Sequence, residues 1–139
     1  MRTNADIVKA ATAAYEAEDF DALMPMLDPD VELHEWPEAP DQRVFHGRNA
    51  IFEAVAEWGK AWEHVRAETE RIVEAGDHVL AFVRTIGKGR GSAIELELEN
   101  YAVYTLRDHK ITKLQYFTDR ETALAAAGLT EDDVRQEGT

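Results

Sequence analysis

Three residues of this 139-residue chain have the type and placement for proton transfer or anion stabilisation: Glu35, Arg84 and Tyr116. Glu35 sits near the end of Asp30-Val31-Glu32-Leu33-His34-Glu35-Trp36-Pro37, which reads as an extended run. Successive strand side chains point to opposite faces, so Val31, Leu33 and Glu35 share one face and Glu32, His34 and Trp36 the other. Val31 and Leu33 belong in a core, which directs Glu35 inward as well. A carboxylate among apolar walls has its pKa raised by desolvation and could accept and return a proton near neutral pH. The competing reading is a strand that ends at the rim, where Glu35 meets water.

Arg84 shares a phase with Leu80 and Phe82, and the spacing predicts that it too faces the interior. A buried guanidinium cannot shed its charge and needs an anion, for which Glu35 is the obvious candidate. Such a pair has two possible meanings. It is either a bridge across the fold or a preorganised acid/base and anion-binding pair, and the bridge would hold Glu35 ionised with a lowered pKa. Tyr116 falls in the inward phase with Leu114. In Ile94-Glu95-Leu96-Glu97-Leu98-Glu99 the alternation continues to place Asn100, Ala102, Tyr104 and Leu106 inside. Asn100, Tyr116 and Tyr15 could stabilise charge, or could be core residues whose polar tip finds one hydrogen bond.

Trp36, Val55, Trp58, Phe82, Asn100 and Tyr104 are the candidates to line or gate a small lipophilic cavity, the aromatic ones equally to fill it. Trp62 belongs with this aromatic set. No metal is expected, because His34, His46, His64, His78 and His109 show no H-x-x-x-H spacing. No cofactor is expected either: Gly87, Gly89 and Gly91 join two strands rather than opening a helix, as hairpin glycines do.

Around these residues the elements can be placed in order. Thr3 and Asp6 have capping-box spacing ahead of a helix with Ile7, Ala10, Ala11 and Ala14 on one stripe, running to about Ala17. Asp19 caps a second, short helix with Pro25 in its first turns, and Asp28-Pro29-Asp30 closes it. Trp36 to Gln42 reads as a loop, Arg43 to Phe45 as a short strand, and Gly47 as the turn into a helix carrying Ile51, Phe52, Val55, Trp58 and Trp62. From about Val65 to Thr118 four long strands follow, with turns at 75–77, 87–91 and 107–109. Glu121 to Leu129 is a closing helix. The chain divides into one domain, 1–129, and a charged, frayed tail, 130–139.

Helices first, then a run of antiparallel strands, argue for an α+β fold with helices on one face of a curved sheet. Fifteen basic against 28 acidic residues give a net charge of −13, which repels nucleic acid and anionic membranes. The absence of cysteine excludes disulfides and a thiolate nucleophile. With no apolar signal core and no stretch near the length of a membrane span, a cytoplasmic protein is expected.

Several pieces together carry a resemblance. They are Asp19-Phe20-Asp21-Ala22-Leu23, Leu27-Asp28-Pro29-Asp30-Val31-Glu32, Phe45-His46-Gly47-Arg48-Asn49-Ala50-Ile51, Gly76-Asp77-His78-Val79, Thr105 to Ile111 and Phe117 to Leu124. In their order and spacing the chain resembles the SnoaL-like branch of the nuclear transport factor 2-like superfamily. The resemblance implies a cone-shaped curved sheet wrapped around N-terminal helices, with an apolar pocket open at one end. It covers polyketide cyclases, isomerases, dehydratases and proteins that catalyse nothing. Where steroid isomerase relatives place an aspartate base this chain has Glu35, but at the positions of their oxyanion donors it has Ala11 and Ala102. His109 stands where relatives usually carry a turn glycine.

Two functions follow as expectations. One is a binding protein for a small hydrophobic molecule, with Glu35 and Arg84 as a structural pair. The other is a cofactor-free acid/base enzyme of isomerase, cyclase or dehydratase type, with Glu35 as base and Tyr116 or Arg84 stabilising negative charge. A homodimer is expected through the outward face of Glu95, Glu97, Glu99, Tyr101 and Val103, which becomes apolar towards its end.

Overall fold

A computed structural model describes residues 3–37, 42–60 and 62–137. The chain begins with helix α1 (Asn4–Glu16), whose N-terminus is fixed by the expected capping box of Thr3 and Asp6. Helix α2 (Phe20–Leu23) is capped by Asp19, and a 3₁₀ turn holding Pro25 leads into strand β1 (Leu27–His34). Then come β2 (Val44–His46), α3 (Arg48–Gly59), β3 (Trp62–Ala75), β4 (His78–Gly89), β5 (Glu95–Arg107), β6 (Lys110–Phe117), α4 (Arg120–Ala127) and α5 (Glu131–Glu137). Part of the expected loop, residues 38–41, lies outside the described residues.

The six strands form one sheet in the order β2-β1-β6-β5-β4-β3. The sheet is mixed rather than wholly antiparallel: β1 runs parallel to β6, with Leu33 opposite Leu114. Parallel neighbours need a long crossover, and here most of the domain lies between them. α1, with Ile7, Val8, Ala11 and Ala14, packs with Val31, Leu33, Val79, Ala81, Ala102 and Tyr104 in the main core. The alanines of α1 let its backbone come close to the sheet.

A second core lies on the opposite face, and it corrects two expectations. Leu80, Tyr101, Val103 and Phe117 pack there against Ala123, Leu124 and Ala127 of α4 and Val134 of α5. The stretch read as a frayed tail is therefore helical from Glu131 to Glu137, with Val134 only 1% exposed. The apolar end of the outward face of β5, expected to meet a second subunit, is covered by the chain's own C-terminal helices. Arg71 ties α5 down by donating to the Val134 carbonyl oxygen.

Two local differences have simple causes. Trp62 opens β3 instead of closing the third helix, which stops at Gly59. β4 runs on through Gly87 and Gly89, because the Trp62 ring lies against Gly87. A Cβ on Gly87 would stand 2.7 Å from Trp62 Cε3 and 3.1 Å from the His64 carbonyl oxygen. Gly87→Val is accordingly expected to destabilise the domain by about 1–3 kcal/mol through overpacking, measurable by urea unfolding. At the last hairpin Asp108 and His109 both adopt positive φ, 52° and 64°. The two-residue turn is thus made without glycine.

Among the described residues no helix is long and apolar enough to cross a membrane.

Candidate functional site

Glu35 emerges one residue past β1, with its side chain only 5% exposed. The β1–β2 ladder pairs Glu32 with His46, Leu33 with Phe45 and His34 with Val44. Continued by one step, that register sets Glu35 opposite Arg43, and the Glu35 amide donates to the Arg43 carbonyl oxygen at 3.1 Å. The two side chains meet there. Glu35 Oε1 accepts from the Arg43 amide at 3.0 Å and from Arg43 Nε at 3.1 Å. Oε2 accepts from Arg43 Nη2 at 3.2 Å and from Trp58 Nε1 at 3.0 Å. Arg43 continues to Glu57, with Nη1 donating to Oε1 at 2.7 Å, and its guanidinium lies 5.1 Å from the centroid of Phe45.

A carboxylate has about four lone-pair sites, and four donors fill them. Burial pushes the Glu35 pKa up, but the hydrogen bonds from Arg43 and Trp58 and the Arg43 charge outweigh it. The carboxyl is held below its ordinary value. The desolvated, raised-pKa carboxylate of the base reading is therefore not what this environment makes. Trp58→Phe keeps the ring and removes one donor to Glu35. It is expected to cost about 1 kcal/mol and to move the Glu35 pKa upward, both readable in denaturation across pH.

Next to this brace lies a chain of rings. Trp36 and Trp58 are 5.7 Å apart between centroids, and Trp58 meets Tyr116 edge-on at 5.5 Å. Tyr116 stands opposite Ala102, and Tyr104 opposite Leu114, so the two phenols are diagonal neighbours on one face. Tyr15 of α1 packs against the same core. Burial pushes all three phenols up, and the nearness of Tyr104 and Tyr15 adds to the rise at Tyr116. All three are neutral donors at physiological pH. None of their hydroxyls has a hydrogen-bond partner among the described residues. The one buried side-chain polar atom without a partner there is Arg84 Nε. The three phenol oxygens accordingly keep some accessible surface.

Arg84 does not reach Glu35. Its Nη1 donates to Glu97 at 2.9 Å, and its Nη2 lies 3.3 Å from Glu70 and 3.6 Å from Glu68. The phase shared by Leu80, Phe82 and Arg84 is real, but it is the outer one. In register Ala81 opposes Ala102 and Val83 opposes Asn100, so the odd residues of β4 share the inner face. Phe82 accordingly packs against Tyr101 at 5.7 Å and lies beneath Arg71 and Arg120. Alternation could not decide the phase, because α4 and α5 bury the other face of β4 too.

Asn100 is on the inner face as expected, where its Oδ1 accepts from Thr85 Oγ1 at 2.9 Å. Val55 is half-buried on α3, one turn before Trp58. The residue that sequence reasoning missed is Arg43. Its signal was available, since a hairpin-like return from β1 to β2 sets Arg43 against Glu35. An open surface groove of about 570 Å³ lies elsewhere, at the start of α3, lined by Met24, Pro29, His46, Gly47, Arg48 and Asn49. None of the brace residues or phenols lines it.

Among the described residues no group of three or more His, Asp or Glu is placed to hold a metal ion.

Comparison with known proteins gives the following. A family model described as a SnoaL-like domain matches residues 8–114. Among solved structures, TerC co-crystallized with polyporic acid is similar at 22% identity, over 89% of this chain and 96% of that one, with a TM-score of 0.72. A protein with a ketosteroid isomerase-like fold from Catenulispora acidiphila DSM 44928, in complex with trimethylamine, is similar at 24% identity. That match covers 94% of this chain and 98% of the other, with a TM-score of 0.70. A protein described as a SnoaL-like polyketide cyclase from Jannaschia sp. CCS1 is similar at 17% identity, over 94% and 98%, with a TM-score of 0.71. At these identities the likeness is one of fold. No curated protein matches.

Proposed function

This chain belongs to the SnoaL-like domain family, and we propose that it binds a small lipophilic molecule between α1, α3 and the inner face of the sheet. The observation that carries this reading is the state of Glu35. Its carboxylate is ionised and fully occupied by Arg43 and Trp58, so it serves as a brace at the end of the first strand. A general base must offer a lone pair to the proton it takes, with a pKa near the working pH. The phenols are the opposite case. Tyr15, Tyr104 and Tyr116 have hydroxyls without partners among apolar neighbours, a lining of the kind that orients an apolar ligand through a few polar contacts. Two structural neighbours solved with small organic molecules are consistent with this use of the fold.

The test is a titration of the full chain with 1-aminoanthracene, a neutral fluorophore that brightens and shifts to the blue in apolar surroundings. Saturable binding at one site per chain is expected. Tyr116→Trp, which enlarges a ring beside Trp58, should weaken it at least tenfold, with the circular dichroism unchanged. Binding that never saturates, or that ignores Tyr116→Trp, would contradict the proposal.

A further inference from the structure

Asn100 stands where the inner face of the sheet passes from core to solvent. Ala102, the next inner residue of β5 on one side, is 1% exposed, and Leu98, the next on the other, is 51% exposed. Tyr116 opposes Ala102, so the Tyr116 ring and the Asn100 carboxamide are diagonal neighbours on one face. The ring lies on the buried side of this step and the amide at its rim.

That amide is held in one orientation. Thr85 Oγ1 donates to Asn100 Oδ1 at 2.9 Å, and the hydroxyl has no other acceptor among the described residues. A threonine side chain is stiff at χ1, so its hydroxyl fixes the carbonyl end of the amide and leaves Nδ2 with two N–H groups to offer. Nδ2 has no partner among the described residues and keeps accessible surface. The inner pairs of β4 and β5, from Val79 and Tyr104 to Gly87 and Leu96, carry no charge. Arg84 is engaged on the other face by Glu97 and Glu70, and every lone-pair site of Glu35 is filled. The rim therefore presents an oriented neutral donor and no ion.

We infer that Asn100, positioned by Thr85, selects the ligand by donating to an acceptor oxygen of a neutral molecule, such as the carbonyl of an aromatic ketone, whose apolar body lies inward against Tyr116. The inference rests on the binding reading above and adds the chemistry of the ligand. An amine would set N–H against N–H, and its ammonium form would find no free anion. A carboxylate would find no cation on this face, in a chain whose net charge of −13 already repels it. A ketone asks only for a donor. Asn100 touches the ligand in this account, and Thr85 acts through Asn100.

The test uses two competitors of one shape, 2-acetylnaphthalene and 2-isopropenylnaphthalene, which differ in carrying C=O or C=CH2. Each is made to displace 1-aminoanthracene from the full chain, and the ratio of their affinities is the readout, because it cancels what the apolar body contributes. Asn100→Leu should shift that ratio against the ketone about three- to tenfold, the worth of one neutral hydrogen bond. Thr85→Val keeps the shape of the side chain and frees the amide to turn, so it should shift the ratio the same way by a smaller factor. Infrared spectra of the ketone, isotope-labelled at its carbonyl carbon, separate donation from packing. The bound carbonyl should absorb at lower wavenumber in the native chain than in Asn100→Leu. A ratio and an absorption that Asn100→Leu leaves unchanged, with 1-aminoanthracene still binding saturably, overturn the assignment of Asn100 and leave the binding site standing. Thr85→Val with the native ratio overturns the positioning role of Thr85. Binding of 1-aminoanthracene that never saturates removes the site and this inference together.

Discussion

Glu35→Gln is expected to lower stability by about 2–3 kcal/mol at neutral pH, because it weakens charge-assisted bonds from Arg43 and turns one acceptor into a donor. An amide nitrogen would face either Arg43 or Trp58 Nε1, and both already donate. The pH dependence should change as well. The folded pKa of Glu35 lies below its unfolded value. Its contribution is therefore complete above the ordinary glutamate value of about 4.3 and is lost as the pH falls through the lower folded value. The variant should lack that component and show a shallower acid limb. Glu32, Asp119 and Glu131, whose carboxyls are also held low by their partners, should keep the remainder. Urea unfolding at a series of pH values measures both effects. Affinity for 1-aminoanthracene at neutral pH should change by less than about threefold, since a brace contributes to the fold and not to the ligand.

The second large effect is expected at the far end of the chain. Val134→Asp places a carboxylate where the native side chain is 1% exposed, against Leu80, Tyr101 and Val103. A buried unpaired charge is too costly to keep, so α5 should lift away instead. The loss is then limited to its docking, about 2–3 kcal/mol for one buried valine and the contacts it organises. Hydrogen exchange should accelerate in α5 and α4 while α1 stays protected. Uniform loss of protection would mean that the C-terminal helices are part of the main cooperative unit.

The same region explains why part of the fold was hidden from the sequence. The capping box of α1, the turn at Gly47 and the inward phase of β5 could be read because each is local and one-sided. Glu131 to Glu137 could not, because its buried Val134 stands among acids and has meaning only beside the outer face of β4 and β5. That covered face also misled the reading of Arg84 and Phe82. A strand apolar on both sides has no phase to read, and only its register with β5 supplies one. At the candidate site, the inward direction of Glu35 was legible from Val31 and Leu33. Its partner was not sought in Arg43, eight residues along, because that pairing depends on the return of the chain through β2. Nothing in the alternation of β5 and β6 shows that the hydroxyls of Tyr104 and Tyr116 lack partners, since that depends on how α1 and α3 sit on the sheet.

The most direct test of Glu35 as a brace is the titration of its side-chain carboxyl carbon by NMR in the native chain. A midpoint below about 4.3 is predicted, as Arg43 and Trp58 hold the charged form. A midpoint near or above about 6, the range of a tuned general base, would contradict the account and restore Glu35 to the chemistry its place in the strand first suggested.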